Sequence, residues 1–162
     1  MIGLASPKSD PRPVDIGYSQ AASRAFGTHL APHIPSGKPF RFIYTSGILA
    51  VKDQNKRLWF GSLGRNSRGA GELAILKFGD EHEETYTGVV VRPGMVLTSE
   101  WVAWVMGSSY AIKLQWLSLA MLGIAKEAGK SRIVENAELI ALGRKIAQKD
   151  RAKLFSTSEY QG

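Results

Sequence analysis

The sequence predicts an α/β protein of three layers, with helices on both faces of a parallel sheet of about three or four strands. Three observations carry this. Short β-branched or aromatic runs alternate with longer stretches of helical periodicity. Val89-Val90-Val91 is apolar on both faces of its strand, as in a sheet covered from either side. The segments between strands are long enough for crossovers rather than hairpins.

Pro11 and Pro13 mark an extended opening. Asp15 is placed to cap a helix whose apolar face runs Ile16, Ala22, Ala25, Phe26 and Leu30. Pro32 and Pro35-Ser36-Gly37 end it. Phe40–Thr45, aromatic and β-branched, reads as a buried strand. GILAVKDQNKRLWFGSLG is a polar loop with two apolar patches. From about Gly64 a helix turns Leu73, Leu76 and Phe78 inward, and the acidic GDEHEE closes it. TYTGVVVRPG is a second strand ending in a sharp loop. Trp101 to Lys126 reads as one broken helix or two short ones. In SRIVENAELIALG a short strand precedes a helix N-capped by Asn136, with Leu139, Ile140 and Ile146 as its apolar residues. Residues 1–150 read as one domain and 151–162 as a polar, frayed tail. There is no internal repeat.

Composition narrows the function classes. A hydrophobic fraction of 44% over 162 residues supports a folded domain with a real core. With no cysteine there is no disulfide framework, thiolate metal site or cysteine nucleophile, which fits a reducing compartment, and a cytoplasmic location is expected. The net charge of +7 is spread along the chain. Its two dense runs, Lys52 to Arg57 and Arg144 to Lys153, read as solvated faces, so no nucleic-acid partner is expected. MIGLASPKSDPRP lacks the basic and apolar regions of a secretory signal. Trp101 to Ala125 is apolar, but Lys113 and Gln115 sit in its middle. A charge at a bilayer centre costs about 3 kcal/mol, so a buried helix and no membrane partner are expected.

No metal site is expected either. Pro32 breaks the helical geometry between His29 and His33, and the consecutive acids of DEHEE point in alternating directions. Trp101, Trp104 and Trp116 read as core packing, without interleaved basic residues on one face. Neither a Gly-x-Ser-x-Gly elbow nor a P-loop is present.

Ligands of parallel α/β sheets bind beyond the carboxyl ends of the strands. Thr45-Ser46-Gly47 and Arg92-Pro93-Gly94 stand at two such ends. They either face a ligand together or are plain turns.

FRFIYTSGILAV, LGRNSRGAGELAIL and YTGVVVRPGMVL, in that order, with the ending ENAELIALG, resemble part of a known superfamily. They are similar to the C-terminal half of atypical and extended short-chain dehydrogenases, in particular the nucleoside-diphosphate-sugar epimerase-like proteins of fungi. The likeness runs from Asp15 to Gly143. It implies an incomplete Rossmann-like sheet, the later strands and helices of a doubly wound fold, with residues 1–150 as a partial NAD(P)-binding domain. The implied cofactor is NAD or NADP, and the implied substrate a small carbonyl or sugar-nucleotide compound. Ser46 takes the place of the catalytic serine that hydrogen-bonds the reacting oxygen. Arg68 of RGAGE stands at the lysine of the Tyr-x-x-x-Lys pair and would meet ribose or phosphate, with Glu72 at that motif's acid. Thr45 beside Ser46, and the loop Pro93, Gly94 and Met95, would face the cofactor.

The chain departs from the pattern at two points. Gly64 stands where the tyrosine should be and has no proton to give, while an arginine keeps its charge and is no proton shuttle. No Gly-rich turn follows a first strand to receive a pyrophosphate. Catalysis by this chain alone is therefore not expected. The chain is a fragment, completes its sheet with a partner chain or a second copy, or is a remodelled fold. The alternative is a non-catalytic binding or regulatory protein that offers its exposed sheet edge to a partner.

Overall fold

A computed structural model describes residues 13–34, 38–51, 62–98, 110–126 and 132–158. The chain divides into two compact units, Met1–Arg92 with Ser131–Ile133, and Pro93–Lys130 with Val134–Gly162. The class is α/β, as the sequence predicts, with four α-helices and a small parallel sheet among the described residues.

In the first unit a helical segment spans residues 13–33. Wide turns at Pro13–Tyr18 and Phe26–Leu30 flank α1 (Ser19–Ala25), and a tight turn closes it at Ala31–His33. Its inward face is not the predicted one. Ser19, Ser23, Gly27 and Ala31 are buried, whereas Ala25, Phe26 and Leu30 are exposed. Small residues face inward because aromatic rings already fill the space behind them. A Cβ on Gly27 would overlap the Phe78 ring. The Ser23 hydroxyl shares a 2.6 Å hydrogen bond with the Tyr86 phenol. Asp15 lies within the helical segment and caps nothing; its carboxylate accepts a 2.7 Å hydrogen bond from the Ser67 hydroxyl.

β1 (Phe40–Thr45) and β2 (Tyr86–Arg92) pair in parallel, from Phe40 opposite Tyr86 to Thr45 opposite Val91. β2 is the central strand, and β5 (Ile133–Glu135) takes its other side, where the Val90 N–H donates to the Arg132 carbonyl. Tyr86, Val89, Val90 and Val91 are all buried, as the unbroken apolar run predicts. Tyr44, Ile75 and Val90 form a core cluster.

α2 (Ser62–Glu81) covers this sheet. Glu72, Ile75 and Gly79 are buried, and Leu76 is half-buried at the same helical phase, while Leu73 is 43% exposed instead of inward. The inward position one residue before Leu73 belongs to an acid, which periodicity alone does not place inside. At the far end of α2 the Arg132 guanidinium donates to the Leu76 carbonyl and pairs with Asp80. A cation there complements the negative end of the helix dipole.

In the second unit β3 (Met95–Leu97) pairs in parallel with β4 (Ala111–Lys113). The helical reading of Trp101 to Lys126 is thus corrected at Ala111–Lys113, which is a strand. α3 (Leu114–Lys126) follows it directly. α4 (Asn136–Ser158) packs along α3, burying Leu139 and Ile140 against a face that includes Leu117, Ala120 and Ile124. The helix continues through residues 151–158, where the sequence predicts a frayed tail. Trp116 is half-buried, and Lys113 and Arg144 lie over its ring at 5.1 and 4.3 Å, so basic residues do accompany it. Trp101 and Trp104 lie outside the described residues, as do Pro11, Pro35 to Gly37, and the middle of the loop before α2.

Candidate functional site

The carboxyl end of β1 builds the candidate site from backbone geometry. The parallel ladder continues one residue past the strand: the Ser46 N–H donates to the Val91 carbonyl at 2.9 Å. That bond draws Ser46 inward. Its hydroxyl oxygen is buried and, among the described residues, has no hydrogen-bond partner. Such a group is costly to leave unmade, by about 1–3 kcal/mol, and an orphaned hydroxyl therefore needs an explanation. Next to it, Gly47 has no side chain to obstruct Arg68, whose guanidinium would stand 3.3 Å from a Cβ there. Among the described residues Arg68 makes no ion pair and no hydrogen bond.

The neighbouring charges are already matched. Glu72 is fully buried, and Arg92, at the end of β2, reaches it with two nitrogens, Nε to Oε1 at 2.9 Å and Nη2 to Oε2. This fork-to-fork pair neutralises both groups in the interior. Among the described residues Arg68 is thus an unmatched cation, and its guanidinium stands next to Gly47, the residue after Ser46. The two together offer a hydrogen bond and a permanent positive charge at the end of a parallel strand, an arrangement suited to an oxyanion or a phosphate.

No proton donor accompanies them in the described surroundings. Tyr44 is the nearby phenol, and its hydroxyl donates to the Asp15 carbonyl at 3.2 Å. Burial, and then the Asp15 and Glu72 carboxylates, push its pKa up to about 12 against the opposing charge of Arg68. Gly64, at the position of the family's tyrosine, is half-buried, and a Cβ on it would meet nothing within 4 Å.

Tyr86 is also pushed up to about 12, by burial. Both phenols are therefore held neutral in the fold through a range in which an unfolded tyrosine ionises. Between about pH 10 and about pH 12 the unfolded chain binds fewer protons, so stability is constant below that window and falls as pH rises through it. Melting temperatures measured across this range should show the fall, and Tyr44→Phe with Tyr86→Phe should flatten it.

The other predicted residues are placed differently. Thr45 is exposed and points to the sheet face opposite Tyr44. Pro93, Gly94 and Met95 belong to the second unit. Met95 opens β3 rather than lying in a loop. The Gly94 N–H donates to Asn136 Oδ1 at 2.8 Å, and Asn136 Nδ2 donates to the Ala111 carbonyl at 3.4 Å. Asn136, read from the sequence as an N-cap, is buried and ties this turn to β4; its helix start is served instead by Glu138, which accepts from the Glu135 N–H.

Arg92 was legible as a strand end but not as the partner of Glu72. The available signal was an acid in the inward phase of α2, which demands a buried cation. A cleft of about 230 Å³ opens elsewhere in the first unit, lined by Gln20, Ser23, Arg24, Lys77, Phe78 and Glu81 among others, and by none of the residues at the strand ends. Among the described residues no cluster of three or more His, Asp or Glu is placed to hold a metal ion, and His29 and His33 are exposed. Among them, too, no helix is long and apolar enough to cross a membrane.

In comparisons with known proteins, the chain matches no protein-family model and no curated protein.

Proposed function

We propose that this chain is a catalytically degenerate relative of the NAD(P)-binding, epimerase-like short-chain dehydrogenases, built as the later part of a three-layer Rossmann-like fold. The observation that carries the reading is that, among the described residues, the buried Ser46 hydroxyl has no partner and the Arg68 guanidinium, next to Gly47, has none either. In this reading Ser46 donates to a substrate or cofactor oxygen, and Arg68 holds a ribose or phosphate by charge. Glu72 and Arg92 hold α2 against β2 and leave Arg68 to the ligand. Gly64 supplies no phenol and Tyr44 is committed to Asp15, so the chain binds NAD or NADP without turning over a small carbonyl or sugar-nucleotide substrate on its own.

The test is a titration of the folded chain with NADPH and with NADH, read by nicotinamide fluorescence and thermal shift. A saturable signal is expected, weakened at least about tenfold by Arg68→Ala. Ser46→Ala should weaken binding while leaving the melting temperature unchanged or higher, because it removes an unsatisfied buried hydroxyl. No binding to folded protein by either nucleotide overturns the reading.

A second reading, a binding or regulatory protein that uses its sheet edge, is favoured by one observation. β1 is the outer strand of the sheet, with β2 as its neighbour among the described residues. Capture of a partner strand there, with no nucleotide binding, would support it.

A further inference from the structure

We propose that Arg65 is a positioning residue for the strand-end site: it ties down the turn that follows Ser46, and so fixes the backbone beside which Arg68 meets an oxyanion. This rests on the reading above, and it deepens that reading by naming what holds the site in shape.

The turn is built from backbone bonds. Ser46 ends the ladder with its N–H on the Val91 carbonyl. The chain then reverses, and the Ala50 N–H donates to the Gly47 carbonyl at 3.0 Å, closing a four-residue turn over Ile48 and Leu49. Within itself this turn is held by that one hydrogen bond. Leu49 at its tip is 55% exposed, so burial of the side chain does not anchor it. The Leu49 carbonyl has no partner inside the turn, because the bond that closes it uses Gly47 and Ala50.

Arg65 supplies the anchor at two points. Its Nε donates to the Leu49 carbonyl at 2.8 Å, and its own carbonyl accepts from the Val51 N–H at 3.0 Å. The first of these is charge-assisted and therefore stronger than a bond between neutral groups. α2 places Arg65 and Arg68 three residues apart, so the two side chains leave neighbouring points of one helix face and address the same turn. They divide the work. Arg65 is bound to the backbone at Leu49, whereas Arg68 stands next to Gly47, where a Cβ would lie 3.3 Å from its Nη1. Without the Arg65 side chain, Gly47 would move with the turn relative to Arg68. A ligand would then have to order the turn as it binds, and would bind more weakly.

Variants at Arg65 separate position from charge. Glutamine carries an uncharged amide nitrogen at the same point of the side chain as the arginine Nε. Methionine has a methyl group there, and lysine keeps the charge but has a methylene there. Each full-length variant is compared with the wild type by amide hydrogen exchange at Ala50 and by titration with NADPH and with NADH. Arg65→Met and Arg65→Lys should speed exchange at Ala50 at least about tenfold, with the circular dichroism unchanged. Both should weaken nucleotide binding about tenfold. Arg65→Gln should match the wild type in exchange and in affinity. Unchanged exchange in the methionine and lysine variants overturns the proposal. So does a loss of affinity that follows the charge, present in the glutamine and methionine variants and absent in the lysine one, or an affinity unchanged in all three. If the wild-type chain binds neither nucleotide, the functional reading falls, and exchange at Ala50 alone decides whether Arg65 holds the turn.

Discussion

Glu72→Ala is expected to destabilise the protein by about 3–5 kcal/mol, because it takes from the largely buried Arg92 guanidinium the carboxylate that pairs with it. The Glu72 side chain is fully buried and that of Arg92 is 14% exposed, so water cannot replace the lost carboxylate. Arg92→Met should cost a similar amount by stranding Glu72. Replacing both, as Glu72→Leu/Arg92→Met, should cost far less than the sum of the two, since neither charge then has to be desolvated. Urea unfolding followed by circular dichroism measures all three. A loss below about 1 kcal/mol for Glu72→Ala would mean that the pair behaves as a solvated surface bridge. The pair also sets the geometry of the candidate site, since Arg68 lies one helical turn before Glu72 on α2.

Gly88→Ala should destabilise by about 1–3 kcal/mol or more, although local preference points the other way. Glycine weakens a strand interior, and alanine would ordinarily improve one. Here a Cβ would lie 2.6 Å from the Ile75 carbonyl oxygen and 3.0 Å from Ile75 Cγ2. The first of these is backbone of α2, which cannot rotate away as a side chain would. The helix must lift off β2, weakening the core cluster of Tyr44, Ile75 and Val90 and displacing Arg68 from the end of β1. A thermal melt gives the loss of stability. An unchanged melting temperature would mean that α2 does not pack against β2 at this distance.

Several features were legible in the sequence because they are local. The aromatic and β-branched run Phe40–Thr45 carries its own strand preference. The unbroken Val89-Val90-Val91 indicates a strand covered on both faces, and β2 is the central, buried strand. The long helix before it was also legible, beginning at Ser62 rather than Gly64. So was the placing of Ser46 and Arg92 at strand ends, since it follows from where the apolar runs stop.

Which side of each helix faces inward was decided only by the tertiary structure. Periodicity assigns large apolar residues to the interior, and it placed Phe26, Leu30 and Leu73 there. In the fold the space behind α1 is occupied by Phe78 and Tyr86, so Ser23 and Gly27 fit where Phe26 cannot. Glu72 takes the inward position next to Leu73 because Arg92, twenty residues away, arrives at the same point. Asn136 leaves its own helix end to bridge Gly94 and Ala111, both distant in sequence. The sequence by itself determined the strands Phe40–Thr45 and Tyr86–Arg92, their parallel pairing and the long helix between them, because backbone preference and burial on both faces act over a few neighbouring residues. Only the tertiary structure decided the charge pairing, the orphaned Ser46 hydroxyl and the outward placing of Phe26 and Leu30, because each depends on what a distant segment has already filled.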